Sequence, residues 1–505
     1  MASPRQGPSA SSSNTSSSRA APQVTRLLDQ GGALYAADDL EGARRAYASA
    51  LAADPGEARA LWSLAVIDLR EGRWQAAAGG FRAFAKRAPR HPAARHNLGV
   101  AAEALGRWRQ AARAYEEALA IDPTAFETRF ALARALSVLG AIDAAAGHYR
   151  RLAETPAHRT QALTLLGVLA PRQVGDAELP QLRVAAGDGA ADPAARTAAL
   201  FALAPVLEAR GDDAGAFEAF DEANRRHRAA LGERAAATAQ LHARSVEMQK
   251  ARFTAGLITA RDPGASGSTA PIFIVGFPRS GSSLIERMLA AHPQARAMGE
   301  TGALAPVLAR GGDAKDYLAA IRALGWNGAG RFVDKTLENF LHLGAIARMF
   351  PRAIVIESAR EPMDVGFACW RQLFAHGHET LYDFNEIAAE LGRYEEMMAH
   401  WRAVLPRPPA QVRLEDLVAD PESEIRRLVV EVCALAWDRA CLRFHEKPGA
   451  VRTASVAQVR QPISAATLGR WRRYEDRLGP LARALAARDR RAATRGPGRK
   501  TQGPR

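Results

Sequence analysis

The sequence predicts two parts in one chain, an all-α helical solenoid followed by an α/β domain with a parallel sheet. Three observations carry this. Small and aromatic residues recur at a fixed 34-residue interval through the first part. A Gly/Ser/Pro-rich stretch, RDPGASGSTA at 261–270, then breaks the helical pattern. Directly after it, the apolar run Pro271-Ile-Phe-Ile-Val275 leads into a Gly- and Ser-containing loop, as a buried parallel strand would. At 505 residues the chain exceeds one ordinary core, and its 48% hydrophobic content is that of a globular protein.

The repeat is read from five sets of positions. Pro55, Pro89 and Pro123 share the interval, as do Gly72, Gly106 and Gly140. So do Ala43, Ala77, Ala111 and Ala145; then Tyr47, Phe81, Tyr115 and Tyr149; and the pair Trp74 and Trp108. The period matches the tetratricopeptide repeat, a helix–turn–helix unit. Gly serves the turn, the small Ala lets the two helices approach, the aromatic fills the gap, and Pro ends the unit because it cannot continue a helix. Four units run from about Val24 to about Glu154, and a degenerate one follows at 199–228, where Gly211, Ala216 and Phe220 keep the same offsets. The aromatics are read as core fillers. A solenoid of this kind presents a concave surface suited to a peptide or protein.

Composition narrows the partners. The net charge of +14 favours anionic ligands. No nucleic-acid motif accompanies it, so no nucleic-acid partner is expected. Three cysteines without a CxxC pair argue against a disulfide framework or a zinc site and for a reducing compartment. No apolar run approaches the roughly 18 residues needed to span a bilayer. The Ser-rich N-terminus has no apolar core of a secretory signal, so a cytoplasmic location and no membrane partner are expected.

After the apolar run comes Gly276-Phe-Pro-Arg-Ser-Gly-Ser-Ser283, then a helical pattern from Leu284. Strand, glycine loop and helix N-terminus form a cradle for phosphate, with backbone N–H groups and the helix dipole facing the anion. Gly276 and Gly281 allow close approach. Ser280, Ser282 and Ser283 supply hydroxyls, and Arg279 can pair with a phosphate or sulfate through two N–H groups. A nucleoside-triphosphatase loop needs Lys after its second Gly; here none follows Gly281.

The segment PIFIVGFPRSGSSLIERMLAAHP resembles the 5′-phosphosulfate loop of sulfotransferases, most closely the tyrosylprotein sulfotransferases and the bacterial proteins joining tetratricopeptide repeats to such a domain. MGET at 298–301, FVDKTLENF, AIVIESAREPMDV, VRLEDLVADPE, VRTASVAQVRQPI and GRWRRYEDRLGPL follow in the family's order, to about Leu485. The resemblance implies a sulfotransferase fold and in-line transfer of a sulfuryl group from 3′-phosphoadenosine 5′-phosphosulfate to a hydroxyl, without a metal. Protein tyrosine is the implied acceptor; a carbohydrate or a small phenol stays open. By the same resemblance Glu300 is the catalytic base, and Arg279, Lys335 and Ser455 stabilise the leaving oxygen. Arg279, Ser280, Gly281, Ser282, Ser283, Arg360 and Arg460 would hold the donor. The implied organisation is a disordered tail at 1–23, the array at 24–260, the linker at 261–270, the sulfotransferase domain at 271–485 and a basic disordered tail at 486–505.

The chain departs from the family at two donor-site positions: Ala368 stands where a Ser is usual, and Leu414 where a Tyr is usual. Losing a hydrogen bond to a charged group costs about 1.5–3 kcal/mol, so weaker 3′-phosphate recognition is expected, offset by Arg371 or Arg460. The alternative is a degenerate domain acting as scaffold for a protein-binding array.

Overall fold

The computed structural model describes residues 21–189, 192–258, 270–375, 377–446 and 461–494. Ser455 and Arg460, together with the expected linker up to residue 269, lie outside the described residues. The chain forms two compact units that meet in sequence between Ala170 and Pro171.

The first unit is the regular repeat. Its helices pair as Ala21–Ala36 with Leu40–Ala53, Ala58–Arg70 with Trp74–Arg87, Pro92–Ala104 with Trp108–Ile121, and Phe126–Leu139 with Ile142–Ala153; Pro156–Leu169 follows. The periodic residues do what their chemistry suggests. Gly72, Gly106 and Gly140 take φ of 75°, 71° and 84°, the left-handed turn that ends the first helix of each pair. Ala43, Ala77, Ala111 and Ala145 are buried between the helices, as are Tyr47, Phe81, Tyr115 and Tyr149. A Cβ on Gly99 would lie 2.4 Å from the Tyr115 ring, so the small residue there is a packing requirement.

The second unit holds a five-stranded sheet: β1 (Ile272–Gly276), β2 (Ala295–Gly299), β3 (Arg331–Asp334), β4 (Ile354–Ala359) and β5 (Ala410–Arg413). The order is β2-β3-β1-β4-β5, with every pairing parallel. β1 is buried along its whole length, as its uninterrupted apolar run requires. Its C-terminal end lies where the chain's crossovers diverge to either side, the usual ligand position in an open α/β sheet.

This unit also takes in the helices between 171 and 258, ahead of the expected boundary at 260. Pro193–Ala209 and Asp213–Leu231 keep the repeat turn at Gly211, with φ 82°, and bury Ala216 and Phe220. Their contacts, however, go to the sheet domain. Phe217 and Phe220 pack against Trp370 with tilted rings whose centroids lie 5.0 and 5.8 Å from its own. Asn224 donates to the Trp370 carbonyl at 2.9 Å. Arg228 grips the Glu386 carboxylate with contacts of 2.7–3.0 Å.

One expectation is corrected. The closing helix Gly479–Thr494 runs into the segment read as a disordered tail from 486. Leu481 and Leu485 are buried, and their apolar anchoring, with the Ala-rich sequence after them, carries the helix on despite the basic charge.

Candidate active site

The candidate residues lie at the C-terminal end of the sheet, each just past a different strand. Arg279 follows β1, Glu300 follows β2, Lys335 follows β3 and Arg360 follows β4. Parallel pairing alone therefore brings together residues up to 81 positions apart in sequence.

The loop after β1 turns sharply. Arg279 has φ 69° and Gly281 φ 106°, and the helix Ser282–Ala291 starts immediately after. A Cβ on Gly276 would lie 2.8 Å from both the Ser280 hydroxyl and the Ser358 carbonyl, so only glycine fits there. Ser280 is buried and donates to the Ser358 hydroxyl at 3.0 Å, tying the loop to β4. A tight glycine turn leading into a helix N-terminus is an arrangement able to face an anion.

Glu300 and Lys335 form an ion pair across β2 and β3. The Lys335 side chain is 1% exposed and that of Glu300 57%, so Lys335 is no surface charge and Glu300 is open to an incoming molecule. Glu300 pairs with a lysine rather than capping a helix. Lys335 N–H donates to the Gly299 carbonyl at 2.9 Å, which locks the two strand ends in register. Asp334 beneath them is fully buried and accepts from Thr301 Oγ1 at 2.7 Å, Tyr317 at 2.6 Å and Thr336 Oγ1 at 2.6 Å. That network fixes the corner carrying Glu300. Glu286, one helix turn past the loop, accepts from Gly299 N–H at 2.8 Å. Burial pushes its carboxyl above the usual carboxylate range, with the Lys335 charge opposing.

A cluster of guanidinium groups lies on the other side of the loop. Burial holds Arg360 below the usual arginine value, and nearby Arg470 adds to this. Burial does the same to Arg279, with Arg360 and Arg470 contributing. Arg360 reaches Asp364 at 3.3 Å and the Thr467 and Arg279 carbonyls, while its Nε has no hydrogen-bond partner among the described residues. Two largely buried guanidinium groups, with the more exposed Arg470 near them, form a site that a polyanion would stabilise, with Asp364 and Glu208 offsetting part of the charge. Among the described residues no group of His, Cys, Asp or Glu is placed to hold a metal.

Sequence reasoning did not single out Arg470 within the GRWRRYEDRLGPL segment, from which it enters the cluster. Arg371, expected to offset the loss at Ala368, is instead paired with Glu208, which also accepts from Tyr474 at 2.7 Å. Burial pushes Arg371 down to about 10. Arg470 also adds positive charge near Arg279 and Arg360, part of it offset by Glu208 at 3.4 Å. Leu414 packs on the loop: a Cβ on Gly281 would lie 3.3 Å from its Cδ1.

Comparison with known proteins agrees with this geometry. The sulfotransferase family model matches residues 271–327 and 313–439. Tetratricopeptide-repeat models match 28–92 and 92–125. The chain joins tetratricopeptide repeats to a domain of the sulfotransferase family. A relative from Aquifex aeolicus (strain VF5), described as an uncharacterized protein, is 29% identical over 320 residues, covering 57% of this chain and 41% of its own. The chain thus spans about two fifths of the length of that relative. Among solved structures, the chain is similar to MamA at 19% identity, over 41% of this chain and 92% of MamA, with a TM-score of 0.28. It is also similar to pilF of Pseudomonas aeruginosa at 16% identity, over 41% and 92% of the two chains, with a TM-score of 0.32.

Proposed function

We propose that the protein transfers a sulfuryl group from 3′-phosphoadenosine 5′-phosphosulfate to a hydroxyl, with a tyrosine side chain of a protein or peptide as acceptor. The observation that carries this is the placement of an exposed carboxylate, a buried lysine and the largely buried Arg279 and Arg360 around one glycine loop at the C-terminal end of the sheet. Glu300 takes the proton of the acceptor hydroxyl as its oxygen bonds to sulfur. Lys335 and Arg279 offset the negative charge that builds on the oxygen leaving the sulfur. The loop serines 280, 282 and 283 with Gly281 cradle the 5′-phosphate, and Arg360 with Arg470 holds the 3′-phosphate. The repeat unit is assigned to acceptor capture, as the peptide-binding habit of such arrays suggests. The three cysteines are buried and none is in a disulfide, which accords with a reducing, cytoplasmic setting. No helix among the described residues is long and apolar enough to cross a membrane.

The test is transfer of radiolabelled sulfate from the donor to a tyrosine-containing peptide by the full chain. Label on the tyrosine hydroxyl is the expected result. Label on a carbohydrate hydroxyl alone would move the acceptor class, and label on no hydroxyl compound would sink the reading.

A further inference from the structure

A cavity with about 640 Å³ of empty space, part of it open to solvent, begins at Gly276, Phe277 and Pro278 of the phosphate loop. Its inner wall is aromatic. Phe277 and Phe340 meet the Tyr394 ring edge-on, with centroids 5.9 and 5.1 Å away. Leu337, Leu341 and Leu381 continue the apolar lining. His242, Glu338, His378, Glu390 and Arg393 add ionisable groups to the lining, and Leu337 and Glu338 follow Lys335 by two and three residues, which ties this wall to the strand end carrying the Glu300–Lys335 pair.

Part of the wall comes from an unexpected source. His242 and Val246 belong to the helix Glu233–Arg252, which precedes the family match beginning at 271. Three attachments fix this stretch to the helix Phe384–Val404. His242 Nδ1 lies 3.1 Å from Glu390, which Arg393 also grips at 2.7 Å. Lys250 pairs with Glu396, and His400 Nε2 donates to the Phe253 carbonyl at 2.9 Å. A wall held this firmly has a defined shape. Val246 is buried and contributes only methyl groups to it, so its bulk limits what can enter.

We propose that this cavity seats the acceptor as a flat aromatic ring, and that Val246, from outside the sulfotransferase-family match, limits the size of ring that fits. The assignment rests on the sulfotransferase reading for its role and on the cavity walls for its ligand. Aromatic edges and aliphatic methyls favour a planar apolar body, and the neighbouring carboxylate suits a ring that carries a hydroxyl. A Val246 that only fills the core would not discriminate between ligands.

The probes are 4-nitrophenol and 2-naphthol, measured by equilibrium binding to the full chain without nucleotide. In the Val246→Ala protein the affinity ratio of 2-naphthol to 4-nitrophenol is expected to rise roughly tenfold, the scale of one or two methyl groups in an apolar pocket. Val246→Ile should move the ratio the other way, which guards against simple loss of stability in the smaller variant. A ratio unchanged in both variants, or no saturable binding of either phenol to the parent chain, would overturn the proposal. If the ratio shifts as expected and no sulfuryl transfer occurs to any hydroxyl, the acceptor role falls with the transferase reading, and the size gate stands.

Discussion

Replacing Glu300 by Gln is expected to lower kcat roughly 100- to 10,000-fold while leaving nucleotide affinity nearly unchanged. Glutamine keeps the shape of the side chain but cannot take a proton. The change is also mild for the fold. The Glu300 side chain is more than half exposed, and its partner Lys335 stays in the field of Glu286. The corner itself is held by Thr301 on Asp334, which the substitution does not touch. Steady-state rates combined with a nucleotide titration check this. A glutamine variant with full turnover would mean that another group takes the proton, and His378, which lines the cavity, would be the first to examine.

Replacing Arg360 by Ala is expected to weaken binding of 3′-phosphoadenosine 5′-phosphate by roughly 10- to 100-fold, the scale of a charge-assisted hydrogen bond. Binding of adenosine 5′-phosphate should change little. The difference isolates the 3′-phosphate. Arg360 is largely buried, shares its surroundings with Arg279 and Arg470, and has a free Nε among the described residues. An anion arriving there would meet charge already stripped of water. Arg360→Lys, which keeps the charge without the planar fork, should fall between the two. Equal loss for both nucleotides would place Arg360 elsewhere in the donor site.

Much of this arrangement was legible in the sequence, for physical reasons. The repeat was readable because turn, close approach and gap filling each demand one residue type at one position, so the period survives even where the rest of the unit varies. β1 was readable because a central parallel strand must be apolar on both faces. The loop after it was readable because Gly276 has no room for a Cβ. Other features depend on contacts that a linear pattern does not encode. β3 and β5 are four residues each and carry charged residues at their ends. The helices after 171 look like repeats by their turns, yet they bury their faces on Trp370 and Glu386, so the compact unit begins earlier than the Gly/Ser-rich stretch suggested. Arg470 joins the arginine cluster only through folding, and Glu208, more than 160 residues away in sequence from Arg371, decides how that arginine is used.

The most direct test of the donor site is a calorimetric titration of the full chain with 3′-phosphoadenosine 5′-phosphate, with adenosine 5′-phosphate as control. Saturable binding with clear preference for the 3′-phosphorylated nucleotide is expected, carried by the glycine loop and by Arg360 with Arg470, despite Ala368 and Leu414. Equal binding of the two nucleotides, or none of either, would contradict a working sulfuryl-donor site and leave the domain as a scaffold beside the repeat unit.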